Sequence, residues 1–259
     1  MNKLIQTIRI ILILFFIGLI IFSLTKIIPW FIDNKKTNDQ IKSIEEKIKN
    51  KPETNSEIVI YDNNSKYINE KFLSLDFTKL LEENDKTVGW VKIPGTNINY
   101  PFVQTNDNNY YLYHSFNNEY NQAGWLFLDY RNNMENDQNS IIYAHGRVDG
   151  SMFGSLKNTL TKNWQDTKKH IVKVSTPANN YIYEVFSIYR IKTTDDYLQI
   201  NFNDEQNYNN FLINITNRSV YNFNTNVSTT DKIITLSTCY NETDKMVLHA
   251  KLIKKEIRK

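Results

Sequence analysis

The chain has 259 residues, of which 23% are charged and 13% aromatic, and its net charge is +3. This is the composition of an ordinary globular protein rather than of a disordered chain. Lysines and acidic residues are interspersed, without a basic stripe or a known nucleic-acid-binding motif, so we expect no nucleic-acid partner. Once the N-terminal thirty or so residues are set aside, the length suits one domain with a sizeable core and some linker.

The N-terminal segment differs from the rest of the chain. Residues 10–24 are uncharged and almost wholly apolar, and the stretch extended to Trp30 reaches the roughly 20 residues that cross a bilayer. Lys3 and Arg9 flank its start, which favours a cytoplasmic N-terminus. A cleaved signal peptide is the alternative, but the run is long and no small-residue cleavage site follows. Residues 1–32 are therefore predicted to be a single-pass anchor in the cytoplasmic membrane, with the remaining chain outside.

Residues 33–71 are interpreted as a polar stalk. Three isoleucines recur within it at helical spacing and predict a short amphipathic helix: Ile41, Ile44 and Ile48. A second helix is predicted over residues 72–84. It leads into a domain that we expect to cover residues 72–259.

Short strands dominate from Thr87 onward. Residues 88–104 alternate between apolar and polar positions and are broken by a turn at Pro94 and Gly95. Further strands are predicted over residues 124–128, 140–143, 170–175, 181–192, 232–237 and 245–256. Residues 202–217 instead carry apolar side chains at helical spacing. Many short strands with a few helices predict a mainly β fold, a barrel or sandwich with helical insertions.

Cys239 is the single cysteine of the chain, so no intramolecular disulfide can form. A lone thiol outside the membrane is a candidate reactive group, although a buried core residue is the alternative. Cys239 ends a predicted strand beside a tight connection, residues 240–244, where a rigid scaffold can present a nucleophile. In the next strand, alternation places Met246 in the core and Lys245 on the opposite face, from which it can reach the thiol.

A cysteine nucleophile acts as its thiolate and needs a neighbour that exchanges protons. Among four histidines, His145 follows a short apolar strand and precedes a glycine-containing loop, so it is the predicted partner. His114 lies in a tyrosine-rich stretch and is interpreted as a packed aromatic. His170 is predicted to be a solvated surface group, and His249 an outward-facing strand residue.

Several segments resemble the class B sortases, a family of cysteine transpeptidases. They are TLSTC at 235–239, IIYAHGRVDGSMFGSL at 141–156, AGWLFLDYRN at 123–132 and TNINYPFVQ at 96–104. The likeness extends from about Phe72 to the C-terminus, and the segments follow the order of the family. The resemblance implies a closed eight-stranded sortase-type β-barrel with N-terminal helices and a helical insertion before the cysteine-bearing strand.

The resemblance also implies an activity and its partners. The substrates would be secreted proteins with a C-terminal sorting motif of the LPxTG or NPQTN kind. Cys239 would form a thioester after the threonine of the motif, and an amino group of peptidoglycan or of a lipid-linked precursor would resolve it. His145 would protonate the leaving amine and deprotonate the incoming one.

One position departs from the family pattern. Sortases carry an arginine on the strand after the cysteine, and the alignment places Lys245 there. Lysine keeps the charge but lacks the planar fork of arginine. Either Lys245 suffices, or another arginine reaches in (Arg147, Arg190 or Arg218), or the protein is a weak or degenerate sortase that only binds sorting motifs.

The substrate groove of the family carries over to seven further positions: Asn108, Leu112, Tyr143, Thr193, Tyr197, Leu198 and Ser237. No cofactor is predicted, and scattered histidines with one cysteine lack the spacing of a metal site. A papain-like hydrolase is a further alternative. It is disfavoured because those enzymes place a helix-borne cysteine before the histidine, whereas His145 precedes a strand-borne Cys239.

Overall fold

The structure is a computed structural model that describes residues 3–49 and 56–258, so residues 50–55 of the predicted stalk lie outside the described residues. The chain forms two units, one up to Ser43 and one from Ile44 onward. Helix α1 (Lys3–Lys47) includes an apolar part that is long enough to cross a membrane by length and composition.

Helix α1 also covers most of the predicted stalk helix. The stretch predicted as a short helix is helical up to Lys47, but it continues helix α1 instead of starting a new helix. The boundaries predicted for the anchor, stalk and domain stay predictions.

The unit from Ile44 onward contains nine described strands. They are β1 (Glu57–Ile60), β2 (Thr87–Lys92), β3 (Asn99–Val103), β4 (Phe127–Leu128), β5 (Asn139–Tyr143), β6 (Ile171–Ser175), β7 (Asn179–Lys192), β8 (Ile233–Cys239) and β9 (Asp244–Ile257). Eight of them pair in the order β9-β7-β6-β2-β3-β4-β5-β8, and β8 pairs back with β9. The predicted closed eight-stranded barrel is therefore confirmed. Strand β1 pairs with β9 beyond the part that β8 occupies.

Two of the strand pairs are parallel, β3 with β4 and β5 with β8, and the others are antiparallel. The β5–β8 pair positions the chemistry. Tyr143 is registered opposite Ser237, and both strands run in the same direction. The residues that follow them, including His145 and Cys239, are thus delivered to the same edge of the barrel.

Within residues 56–258, three shorter helices accompany the barrel: α2 (Thr78–Glu83), α3 (Lys162–Thr167) and α4 (Glu205–Asn217). Short 3-10 turns cover Tyr110–Leu112 and Gly154–Leu160. Helix α4 confirms the predicted insertion before the cysteine-bearing strand. Its N-cap, Asp204, accepts a hydrogen bond from the Asn207 amide at 2.7 Å. Its apolar face packs on the outside of β7 and β9.

Two predicted elements are shorter than expected. The helix predicted over residues 72–84 begins at Thr78, where the Asp76 carboxylate accepts hydrogen bonds from the Thr78 amide and hydroxyl at 2.9 and 2.7 Å. The strand predicted over residues 124–128 begins at Phe127. Gly124 has a φ of +60°, which is incompatible with an extended strand.

Two of the histidines are buried, and for His170 this contradicts the prediction. His170 was expected in solvent, but its ring packs 4.9 Å from Trp164 and 5.0 Å from Phe223, and burial lowers its pKa. His249 lies on the outward face of the sheet as predicted, and helix α4 covers that face and leaves it fully buried. Its ring nitrogens are bonded to the Tyr189 and Thr235 hydroxyls, both at 2.8 Å.

Candidate active site

Cys239 and His145 stand at the ends of two neighbouring parallel strands. Each lies two residues beyond a registered pair, Tyr143 and Ser237, so both side chains point to the same face as that pair. They line one open groove with a volume of about 690 Å³. Cys239 is exposed and lines this groove, so a peptide in the groove can reach it. Strand register alone therefore brings a thiol and an imidazole together.

The backbones of the two segments are in close contact. The Thr238 hydroxyl donates to the Ala144 carbonyl at 2.7 Å. A Cβ placed on Gly146 would lie only 2.0 Å from the Cys239 carbonyl oxygen. Only a glycine fits here, because any side chain would force the histidine loop away from the cysteine strand.

Lys245 faces the sulfur directly. It is registered opposite Cys239 in the antiparallel β8–β9 pair, and its Nζ donates to the Cys239 Sγ at 3.2 Å. Met246, the next residue, is fully buried in the barrel, as alternation requires. The ammonium group can offer a charge-assisted hydrogen bond to a sulfur anion or to an oxyanion formed beside it.

The His145 ring is oriented by a backbone carbonyl. Its Nε2 is 2.8 Å from the Leu112 carbonyl oxygen, which can only accept, so Nε2 carries a hydrogen. Nδ1 has no protein partner in the part of the chain that the structure describes, and it is the nitrogen left for proton exchange. Gly124 makes this approach possible, since a Cβ there would lie 2.8 Å from the same Leu112 oxygen.

A buried carboxylate supports one side of the groove. The Tyr143 hydroxyl and the Asn108 amide both donate to the Asp129 Oδ2 at 3.0 Å. Arg131 adds bonds of 2.9 and 2.8 Å to its two oxygens. Burial opposes ionisation of Asp129, but these donors outweigh it and its pKa is lowered. Burial and the Asp129 charge raise the pKa of Tyr143, which therefore stays a neutral donor.

Another wall of the groove is the loop between β7 and α4. It contributes Thr193, Tyr197 and Leu198 to the lining. The Tyr197 hydroxyl is 3.0 Å from the Ser237 hydroxyl, which joins the loop to strand β8. The Thr193 amide and hydroxyl both donate to the Thr243 carbonyl, at 2.9 and 3.0 Å. This loop is thereby attached to the β8–β9 turn as well.

The groove contains every residue predicted for the site. These are Asn108, Leu112, Tyr143, His145, Thr193, Tyr197, Leu198, Ser237, Cys239 and Lys245. Another cavity, of about 720 Å³, lies between residues 61–66 and 223–231, but neither Cys239 nor a histidine lines it. The candidate catalytic residues therefore line the smaller groove and not the larger cavity.

The chain is similar in sequence to known proteins. A family model described as a sortase domain matches residues 91–253. Sortase B of Listeria monocytogenes is 40% identical over 177 residues, which are 66% of this chain and 72% of that protein. Sortase B of Staphylococcus aureus is 32% identical over 234 residues, 88% of this chain and 90% of that protein. The chain belongs to the sortase family.

Solved structures place it among the class B sortases. A Staphylococcus aureus sortase B–substrate complex has a TM-score of 0.65 and 37% identity, and the match covers 69% of this chain and 84% of that one. The chain is therefore a cysteine transpeptidase of the sortase family. Sortases act at the cell surface on proteins with sorting signals and on cell-wall amines, and the N-terminal apolar helix of this sortase is compatible with a membrane anchor.

No predicted substitute arginine lines the groove of this sortase. Arg147 donates to Ser151 at 3.1 Å and lies 3.5 Å from Asp149. The other two are also held by carboxylates, Arg190 by Asp244 and Arg218 by Asp196, each with a contact of 2.5 Å. Lys245 is the cation that contacts the sulfur.

Sequence reasoning missed five residues of the groove: Phe127, Ala144, Thr194, Asp195 and Thr238. Ala144 and Thr238 precede the two candidate catalytic residues, and their place in the lining follows from that position. Phe127 lies in a segment that resembles the family. Asp195 and Thr194 carried no signal, because a loop of polar residues does not reveal which side chains turn toward a groove.

Proposed function

We propose that this sortase is anchored by residues 1–32 in the cytoplasmic membrane and acts outside it on the C-terminal sorting motif of secreted proteins. The motif is of the LPxTG or NPQTN kind. Cys239 retains the cleaved protein as a thioester, and an amino group of peptidoglycan or of a lipid-linked precursor receives it. The contact of 3.2 Å between the Lys245 Nζ and the Cys239 Sγ, at the same end of the groove as His145, carries this proposal.

The first half-reaction forms the thioester. The Cys239 sulfur, as its thiolate, attacks the carbonyl carbon of the motif threonine, and the negative charge moves to the carbonyl oxygen. When the C–N bond breaks, the leaving amine takes a proton from the His145 Nδ1. Lys245 stabilises the sulfur anion first and the oxyanion next, because both form within reach of its three donors.

The second half-reaction reverses these roles. The neutral Nδ1 of His145 removes a proton from the incoming amine, whose nitrogen attacks the thioester carbon. The C–S bond breaks, the thiolate returns to Lys245, and a new amide bond joins the secreted protein to the acceptor. The protonated imidazole is then ready for the next leaving amine.

The walls of the groove supply substrate contacts in this proposal. Leu112 and Leu198 offer apolar surface for the proline and aliphatic side chain of the motif. Asn108, Tyr143 and Thr193 offer polar groups to its backbone. A peptide held along both walls would bring its threonine carbonyl to the sulfur, and positioning of this kind accounts for much of the rate of such enzymes.

The test uses full-length protein in detergent with sorting-motif peptides and an amine acceptor. We expect wild-type protein to form a thioester that mass spectrometry detects, and to release an amide product when the amine is added. The Cys239→Ala variant should stay folded by circular dichroism and form neither species. Transfer by that variant would refute Cys239 as the nucleophile. Binding without any thioester in the wild type would instead indicate a degenerate sortase that only holds sorting motifs.

A further inference from the structure

The charges of the groove are unevenly compensated. Apart from tyrosines and the cysteine, its ionisable side chains are His145, Asp195 and Lys245. Lys245 contacts the Cys239 sulfur and His145 contacts a carbonyl. The exposed Asp195 carboxylate has no hydrogen-bond or ion-pair partner within residues 3–49 and 56–258.

Three carboxylates near the groove differ from Asp195 in this respect. Arg218 holds the next residue, Asp196, through two bonds of 2.9 and 2.5 Å. Arg131 holds Asp129 in the same bidentate way. Asp244, near the β8–β9 turn, has both Arg190 and Lys192 as partners. The protein thus neutralises the carboxylates that fasten its loops and leaves unneutralised one that lines the groove.

We propose that Asp195 selects sorting motifs with a lysine or arginine at the variable position between the proline and the threonine. This inference rests on the proposed function. Asp195 lies on the β7–α4 loop between the lining residues Thr193 and Tyr197, so a peptide held by that loop passes beside its carboxylate. A cationic side chain there completes an ion pair, a neutral one gains nothing, and an acidic one is repelled.

The preference should be modest and sensitive to salt. Asp195 is exposed, and ion pairs between exposed groups change an equilibrium by about 2- to 5-fold. Screening reduces such effects further as ionic strength rises. Asp195 therefore biases the enzyme among motifs that share their invariant positions, and does not decide whether a motif is cleaved.

The experiment compares three peptides that differ only in lysine, glutamine or glutamate at the variable position. Hydrolysis by the full-length enzyme is measured without added amine, so the charge of an acceptor plays no part. We expect kcat/KM to fall by about 2- to 5-fold from lysine to glutamine and again to glutamate. The differences in kcat/KM between the three peptides should disappear in Asp195→Asn and become smaller in 0.5 M salt. In Asp195→Lys the order of the peptides should reverse.

Asp196→Asn is the matched control. It removes the neighbouring charge but also the Arg218 contact, so it should weaken cleavage of all three peptides alike and keep their order. The same order in Asp195→Asn as in the wild type, or no order in the wild type, would overturn the inference. Failure to cleave any of the three peptides would count against the proposed function instead.

Discussion

The two sides of the groove are held in place by different means. On one side, backbone pairing between β5 and β8 sets the positions of His145 and Cys239, and Lys245 is fixed by its register in β9. Cys239 and Lys245 belong to paired strands of the barrel, and His145 lies two residues beyond the end of β5.

The other side depends on side chains. The loop between β7 and α4 is held by the Arg218–Asp196 ion pair and by a bond of 3.3 Å from Arg131 to the Leu198 carbonyl. Asn139 adds a bond of 2.8 Å to the Gln199 carbonyl. The Arg218–Asp196 ion pair can be removed by one substitution at either residue, because both lie outside the sheet.

The difference separates chemistry from recognition. In the proposed function, the nucleophile Cys239 and its neighbour Lys245 lie on paired strands and His145 directly follows one, whereas the β7–α4 loop, which lines the groove beside them, is positioned by a few polar contacts. Substitutions on the strand side should therefore lower kcat, and those on the loop side should raise KM.

The largest effect is expected from Gly146→Ala. The new methyl group would lie 2.0 Å from the Cys239 carbonyl, so the histidine loop must move. A displacement of about 1 Å can cost about 100-fold in rate, and we expect kcat to fall at least that far. Steady-state kinetics with circular dichroism checks this.

Gly150→Ala is the control for that substitution. It lies in the same loop at a φ of +81° but its methyl group would meet only Asn97, at 3.3 Å. It should destabilise the loop by about 1 kcal/mol and leave kcat nearly unchanged. Equal kcat losses in both variants would mean that loop strain, and not the contact with Cys239, limits the rate.

Lys245→Met should lower kcat/KM by about 100-fold, because it removes the donor beside the sulfur. Lys245→Arg keeps the charge and should retain most of the activity. Lys192→Met serves as the control, since Lys192 is 79% exposed and pairs with Asp244 at 2.8 Å. Full activity of Lys245→Met would show that the sulfur contact has no catalytic role.

On the loop side, Arg218→Gln should raise KM by about 2- to 5-fold and leave kcat unchanged. The Asp196→Asn variant breaks the same ion pair and should match it. In the double variant the effects should not add, because one interaction is removed in all three. A fall in kcat with unchanged KM would contradict the division between the two sides of the groove.

The strand side was largely predictable from sequence, and the loop side was not. Cys239 is the single cysteine and ends an apolar strand, and alternation in the next strand gives the direction of Lys245. His145 has the same strand-end pattern. Such patterns reveal the local geometry of a strand and of its end. That local geometry determines where these residues lie.

Alternation says which face a residue points to, but not what covers that face. His249 was therefore placed correctly on the outer face, but alternation gave no sign that α4 packs there and buries it. The set of hydrogen bonds to the Asp129 carboxylate was missed for a related reason. It joins Asn108, Tyr143 and Arg131 across three segments, and no local pattern reveals such convergence.

The smallest expected effect is that of pH on the free energy of unfolding, through His249, which lies buried under helix α4. Burial lowers the pKa of His249 to about 3, against about 6.5 in an unfolded chain. Below pH 6.5 the unfolded chain binds a proton here that the folded chain does not. The free energy of unfolding should therefore fall as pH drops toward 3, by at most about 1.4 kcal/mol per pH unit from this residue.

His249→Gln separates this contribution from that of other groups. Glutamine can still bond the Tyr189 and Thr235 hydroxyls but takes up no proton, and the lowered pKa of His170 is common to both proteins. Urea unfolding of the detergent-solubilised chain between pH 7 and pH 4.5 should give a shallower slope for the variant. Parallel slopes would mean that the buried imidazole is not protonated on unfolding. Because α4 lies over His249, acid should also loosen the loop side, with a rise in KM before any fall in kcat.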